Sequence, residues 1–172
     1  MLGDNALIVS LGVVKDEASQ PKSCLFHLWL LAYEFSETAI GFTNSKVVFL
    51  TSKRKKEIIE KISPPVGYKG PKIEVILRDQ KNECFGKFFK ALNFDKSKIA
   101  MFANEKPVGP FCADFTKHMN DMNIEFTDAD PIFREITCTK TAEDLASTEV
   151  AAKFSDFAMK ELVGRIESII DI

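Results

Sequence analysis

Ala6-Leu7-Ile8-Val9-Ser10-Leu11-Gly12 is a short apolar run closed by glycine. Its length and β-branched content predict a buried strand. A strand of that kind needs helices over it, and the flanking sequence supplies them. After the polar loop Lys15 to Lys22, Ser23 can cap a helix from Cys24 to Tyr33. Leu25, Phe26, Leu28, Trp29, Leu30 and Leu31 leave that helix almost no polar side, so cover on several sides is expected. Thr38 to Thr43 and Lys46 to Thr51 flank Asn44-Ser45, the two-residue spacing of a β-hairpin.

Ser52 can cap a further helix to about Ile62, where Ser63-Pro64-Pro65 ends it because proline lacks the amide donor and restricts the residue before it. Lys72 to Leu77 reads as a strand. Asn82 to Leu92 carries Cys84, Phe85, Phe88, Phe89 and Leu92 at helical spacing, and Lys98 to Ala103 reads as the next strand. Pro110 opens a helix with Phe111, Phe115, Met119 and Met122 about a turn apart, before a last short strand, Ile124 to Thr127. Strand, helix, hairpin, helix and then alternating β and α predict an α/β domain, a mixed β-sheet flanked by helices.

The C-terminal stretch is different. Thr141 can cap with Asp144, and Ala142 to Ile170 contains no proline and one interior glycine, Gly164. A continuous helix there would be about 44 Å long at 1.5 Å per residue. Its stripe of Val150, Phe154, Phe157, Ala158, Leu162, Ile166 and Ile169 needs something to pack on. Either the helix breaks near Gly164 and folds back, or it leads into or packs on a domain that this sequence does not contain.

With 172 residues, 45% hydrophobic and 28% charged, the chain is sized and composed as one ordinary globular domain, which excludes collagen-like, low-complexity and strongly disordered classes. The longest nearly unbroken apolar run, Cys24 to Tyr33, is about half the roughly 20 residues of a membrane-spanning helix. Met1-Leu2-Gly3-Asp4-Asn5 has no basic region followed by an apolar stretch, so no secretory leader is expected. Cys24, Cys84, Cys112 and Cys138 lie far apart without a Cys-x-x-Cys pair, and no Asn-x-Ser/Thr sequon occurs, which fits a reducing compartment, cytosol or nucleus. The net charge of −2 conceals segments of opposite sign: residues 1–45 carry −3, residues 46–98 carry +8 and residues 99–172 carry −7. Such asymmetry permits contact with a charged macromolecule.

No phosphate-binding, dinucleotide, zinc-protease, nucleophile-elbow or calcium-loop motif is present. The candidates for chemistry are therefore individual residues. His27 lies in the most apolar helix and reads as a packed or rim histidine before a general base; His118 falls off the Phe111, Phe115 and Met119 face and is expected to be exposed. Cys24 with His27 and Cys112 with His118 are two Cys/His coincidences, but no second pair at ligand spacing completes a zinc site. Cys112, close behind Pro110, is the better-placed nucleophile, against the plainer reading of a buried small hydrophobe. Asp128, Asp130 and Glu135 could hold a divalent cation, or be solvated charge in a turn before Pro131. Lys53-Arg54-Lys55-Lys56 puts cations at the positive end of a helix, a cost of roughly 0.3 to 1 kcal/mol for each. A solvated face relieved by Glu57 and Glu60, with Lys56 and Glu60 as an i,i+4 pair, competes there with a phosphate or acidic-peptide contact.

The order of the quoted segments carries a resemblance. Ala6 to Gly12, the loop ending in Lys22-Ser23, Leu28-Trp29-Leu30-Leu31-Ala32-Tyr33-Glu34-Phe35, and Lys46-Val47-Val48-Phe49-Leu50-Thr51-Ser52 before a lysine-rich helix resemble the N-terminal domain of the large subunit of the FACT histone chaperone. The match is sharp over residues 6–62 and looser over 72–140. That family's N-terminal region is similar to creatinase and aminopeptidase P enzymes, whose smaller α/β lobe precedes a pita-bread lobe carrying the metals. The resemblance implies a creatinase/prolidase N-terminal-domain-like lobe over residues 1–140 and, over 141–172, a long helix leading into a missing second lobe.

It further implies a non-catalytic protein-binding module, not an enzyme, with no catalytic, cofactor or metal residue in this chain. Its setting would be the nucleus, on chromosomes, in nucleosome reorganisation during transcription, replication and repair. Histones would be accessory partners, the smaller FACT subunit would bind through other domains, replication or transcription factors are possible partners, and neither a membrane nor sequence-specific DNA is expected. The alternative is the non-catalytic N-terminal lobe of a metal-dependent aminopeptidase. The charge segmentation leads to the expectation that histone binding is weak, salt-sensitive and centred on the acidic C-terminal third.

Overall fold

A computed structural model describes residues 6–14, 20–61, 67–79, 83–93 and 98–170. The chain divides into two compact units, Met1–Asp130 and Pro131–Ile172. In the first, strands β1 (Ala6–Leu11), β2 (Thr38–Phe42), β3 (Lys46–Thr51), β4 (Lys72–Leu77), β5 (Ile99–Met101) and β6 (Phe126–Asp128) form one sheet in the order β4-β3-β2-β1-β5-β6. Helices α1 (Lys22–Leu31), α2 (Lys53–Ile59), α3 (Glu83–Ala91) and α4 (Pro110–Asp121) complete it. β2 is antiparallel to β1 and β3, whereas β3 with β4, β1 with β5 and β5 with β6 are parallel. The expected mixed sheet is thus observed, with β2 alone running against the rest.

The hairpin forms as its spacing predicts: the Thr43 amide donates to the Lys46 carbonyl at 2.9 Å, and the Thr43 hydroxyl accepts from the Lys46 amide at 3.0 Å. Register pairs Val9 with Ile40 and Ile40 with Phe49, so the period of two sends alternate residues to opposite faces. Ile8, Ala39, Val48 and Leu50 point to one face, where Phe85, Phe88 and Phe89 of α3 and Phe111 and Phe115 of α4 cover them. Ile40 and Phe49 point to the other, packing with Phe35, Ile59 of α2 and Leu31 of α1. All six residues of β1 are buried, as expected of a central strand.

Several boundaries differ from the sequence expectation. Helix α1 starts two residues earlier, with Pro21 rather than Ser23 at its N-cap, and stops at Ala32, whose left-handed backbone (φ 53°) closes it. Ser23 therefore sits inside the first turn. The expectation that α1 is covered on several sides is also corrected: Ser23, Cys24, Phe26 and His27 are buried, whereas Leu25, Trp29, Leu30 and Tyr33 are exposed. Ser52 occupies the N-cap of α2 without a side-chain hydrogen bond, and α2 ends at Ile59; Ile62 and Ser63-Pro64-Pro65 lie outside the described residues. The loop over 15–19 and Asn82 lie outside them as well. β5 and β6 are shorter than, or shifted from, the expected strands, and Met122 is an exposed C-cap rather than part of the buried face of α4.

Helix α5 (Asp130–Cys138) replaces the turn expected around Pro131, which stands where a helix tolerates proline. In the second unit, α6 (Ala142–Ile170) is one continuous helix, so no break occurs at Gly164. The expected capping is present: the Thr141 hydroxyl accepts from the Asp144 amide at 3.1 Å, and the Asp144 carboxylate accepts from the Thr141 amide at 3.0 Å. Lys153–Glu149 and Lys160–Asp156 pair at i,i+4 along it, and Phe154, Phe157, Leu162, Ile166 and Ile169 are exposed. No described helix is long and apolar enough to cross a membrane.

Candidate functional site

Because every strand except β2 runs the same way, the carboxyl ends of β1, β3, β4, β5 and β6 share one edge of the sheet with the start of β2. The chain leaving β1 enters α1, on the Ile40 and Phe49 face; the chain leaving β5 enters α4, on the opposite face. Adjacent parallel strands whose connections diverge leave a crevice between them, and open α/β sheets bind ligands at such switch points. Here the crevice has a volume of about 460 Å³ and is walled by Val13, Pro21, Pro107 and Val108, with Ser23, Asn104, Glu105 and Lys106 as its polar members. Its floor is tight. The Val13 amide donates to the Val108 carbonyl at 2.6 Å, and a Cβ on Gly12 would lie 2.2 Å from that same oxygen.

Glu105 caps α1 from across the sequence. The Ser23 amide donates to both of its carboxylate oxygens, at 3.1 and 3.3 Å, placing an anion at the positive end of the helix. Lys22, on the same turn, pairs with Asp130, two residues beyond β6. Neither contact has a signal in the sequence, since the partners are 82 and 108 residues apart.

The candidate catalytic residues do not assemble. Cys24 donates to Glu34 Oε2 at 3.4 Å rather than meeting His27, and burial pushes its thiol up, with the bond and charge of Glu34 adding. His27 is fully buried, neither ring nitrogen has a hydrogen-bond partner, and desolvation, aided by Lys55, lowers it to about 4. A base of that strength is a poor match for proton abstraction at neutral pH. Cys112 is buried beneath the sheet, and its thiol is pushed up to about 11 by burial, with Glu37 adding and Arg78 opposing. That is the opposite of activation, and the small-hydrophobe reading holds. The expected exposure of His118 is corrected: its ring stacks on Phe89 with centroids 6.0 Å apart and lies 5.5 Å from Phe85, and its Nε2 is buried. Helical geometry alone could not show that α3 reaches that side of α4.

Asp128 accepts from the Asp130 amide at 3.1 Å, and Asp130 is held by Lys22, so these carboxylates serve the β6–α5 junction. Among the described residues no group of three potential ligands could hold a metal ion. The basic run is largely accounted for. Lys56 pairs with Glu60 at 3.3 Å as its spacing predicts, and the half-buried Lys55 ammonium donates to the Ser36 carbonyl ahead of β2. Desolvation lowers Lys55, with Glu37 opposing. Arg78 lies 3.6 Å from the Glu37 carboxylate and 4.6 Å over the Phe111 ring, tying β4 to α4. Lys53 and Arg54 remain exposed.

These thiols differ in access in a measurable way. Cys138 alone is exposed, whereas Cys24, Cys84 and Cys112 are buried. Titration of the native chain with a disulfide reagent is expected to modify one thiol quickly and the other three only on unfolding. Fast reaction of a second thiol lost in Cys112→Ala would reinstate Cys112 as a nucleophile.

The class that this geometry defines is an α/β lobe with one antiparallel strand in an otherwise parallel sheet, a crevice at its switch point, and Cys24, Cys84, Cys112, His27 and His118 committed to packing. Comparison with known proteins makes it specific. Residues 2–131 match the family model of the FACT complex subunit SPT16 N-terminal lobe domain, and the chain belongs to that family. FACT complex subunit SPT16 of Debaryomyces hansenii is 27% identical over 176 residues, covering 97% of this chain and 17% of that protein. The Arabidopsis thaliana SPT16 is 26% identical over 180 residues with the same coverage. The chain thus spans about a sixth of the length of these curated relatives. The solved N-terminal domain of SPT16 from chickpea superposes with a TM-score of 0.77 at 24% identity, over 98% of this chain and 41% of that one. The Eremothecium gossypii domain gives 0.71 at 20% identity, over 92% and 38%. The aminopeptidase alternative is not favoured, since the family model and these relatives all bear the SPT16 name.

Proposed function

We propose that this chain is a non-catalytic protein-binding module of a FACT-type histone chaperone, acting in nucleosome reorganisation during transcription, replication and repair. The observation that carries the reading is the family match over residues 2–131. The neutral, buried His27 and the raised thiols of Cys24 and Cys112 support a role without chemistry. In this reading the protein works in the nucleus on chromosomes, makes an accessory contact with histones, and meets the smaller FACT subunit through other domains. Replication or transcription factors are further partners it could receive. Residues 1–140 form the N-terminal lobe, and 141–172 lead into a second lobe.

Calorimetric titration of the chain with a histone H3–H4 tetramer at physiological salt tests this, together with an Xaa-Pro peptide cleavage assay supplemented with divalent metal. Saturable binding that weakens as salt rises, without cleavage, is the expected result. Cleavage would overturn the non-catalytic reading, and binding that stays level with salt would remove its electrostatic basis.

A further inference from the structure

We propose that the outer edge of β4 is a docking site for an extended acidic peptide, which adds to the sheet as a further strand and sets an apolar side chain between Ile59 and Tyr68. β4 ends the described sheet, so its ladder to β3 uses one side of the strand. The Lys72 amide donates to the Ser45 carbonyl at 2.8 Å and the Arg78 amide to the Thr51 carbonyl at 2.9 Å. By the period of two, the amides and carbonyls of Ile73, Val75 and Leu77 face outward, and among the described residues nothing bonds to them. Six residues without a proline make a long edge to leave bare, whereas the opposite edge, β6, has three. Those same three side chains lie on the α2 face, since Val75 packs with Phe49 and Ile59 there and Ile76 packs on the opposite cluster. Beside them is a hollow of about 410 Å³ walled by Ile59, Tyr68, Ile73 and Val75, with Glu60 and Lys72 as its charged members. A strand laid along β4 puts alternate side chains over that hollow.

Charge and backbone together select the occupant. Residues 46–61 and 67–79, which hold β3, α2 and β4, carry nine Lys/Arg against four Asp/Glu. Glu60 is paired with Lys56 and Glu74 with Lys46. Exposed Lys69 and Lys72, at the start of β4, and Lys61, next to Glu60, have no ion pair among the described residues. Acidic residues flanking the added strand meet that surplus, whereas a second copy of this chain would set the surplus against itself. A nucleic acid would meet it too, but the edge alternates amide donors with carbonyl acceptors, and phosphate oxygens satisfy only the donors. Histones are basic, so this edge is separate from the histone contact proposed above and does not rest on it.

The test is amide hydrogen exchange by NMR on the full chain, with acetyl-Asp-Glu-Val-Thr-Val-Thr-Val-Asp-Glu-amide, a counterpart with lysine at every acidic position, and a thymidine oligonucleotide. In the free chain the Ile73, Val75 and Leu77 amides are expected to exchange faster than those of Glu74 and Ile76. At saturation with the acidic peptide they should slow about tenfold, which corresponds to about one hydrogen bond each. The lysine counterpart should bind about tenfold or more weaker. Ile73→Pro removes one outward donor and leaves the bonds to β3 in place, since an edge strand tolerates proline there, and should weaken the acidic peptide about tenfold. Should that variant unfold, Lys69→Glu combined with Lys72→Glu decides, because both residues are exposed and reversing them should also cost the acidic peptide about tenfold. No slowing with the acidic peptide, equal binding of the lysine counterpart, slowing by the oligonucleotide instead, or undiminished binding in the double variant would overturn the proposal. Protection of the three amides in the free chain that grows with its concentration would overturn it as well and give the edge to a second copy.

Discussion

Phe115→Ala is expected to cost about 3 to 5 kcal/mol of folding stability, the range for removing a large aromatic side chain from a packed core. Phe115 is 1% exposed and is the shared neighbour of four other rings. Its centroid lies 5.5 Å from Phe89, 5.6 Å from Phe85 and 6.0 Å from both Phe88 and Phe111. Two of these contacts are edge-on, at 76° and 68°, the arrangement in which aromatic pairs add to the energy of burial itself. These rings join α3 and α4 to each other and to Ile8, Val48 and Leu50 of the sheet. A cavity at the centre cannot be filled by one neighbour moving, because each neighbour is held by another ring. Against a total of about 5 to 15 kcal/mol for a domain, the loss should leave the lobe marginal. Denaturant unfolding measures it, with Phe126→Ala as the comparison: Phe126 is 48% exposed in β6, and its loss should cost below about 1 kcal/mol. Equal losses for the two would mean that the ring cluster is not the core.

How much of this was legible in the sequence depends on the range of the interaction. The hairpin at Asn44-Ser45, the Pro110 helix start, the Thr141–Asp144 cap and the Lys56–Glu60 pair are local, and each is found where its spacing predicts. The buried faces of α3 and α4 follow from helical periodicity in the same way, and their phenylalanines meet because both helices cover one face of the sheet. What periodicity could not supply is the partner across the fold. Ser23 looked like a cap because a serine precedes an apolar run, yet the cap is Glu105, brought 82 residues along the chain by the pairing of β1 with β5. Lys55 looked like one of four misplaced cations, yet the Ser36 carbonyl receives its ammonium because β2 begins beside the end of β3. Trp29 and Tyr33 looked destined for burial, and they are exposed because α1 lies on the sheet by its Cys24, Phe26 and His27 side alone. The crevice itself is a product of topology, since it exists where the connections after β1 and β5 leave for opposite faces, and no spacing in the sequence encodes it.

His27 gives the second large effect, and it appears as a dependence of stability on pH. In the unfolded chain its imidazole titrates near 6.5, whereas in the fold it is lowered to about 4 by desolvation and the nearby Lys55. The unfolded state then binds a proton between those values that the folded state refuses, so the folded state is favoured in full above pH 6.5 and progressively loses that advantage as pH falls toward 4. A gap of this size corresponds to about 3 kcal/mol over the window. Carboxylates titrate in the same experiment, among them Asp144, held below its ordinary range by its bonds to Thr141, so the wild-type curve alone would mix several groups. The difference between wild type and His27→Leu isolates the imidazole. Leucine is of similar bulk and needs no hydrogen bond, and since neither nitrogen of His27 has one, the variant should be at least as stable at pH 7. Its advantage should then widen by about 3 kcal/mol by pH 4. Parallel curves across that window would mean that His27 takes up its proton as readily in the fold as out of it, which a fully enclosed imidazole beside an ammonium cannot do.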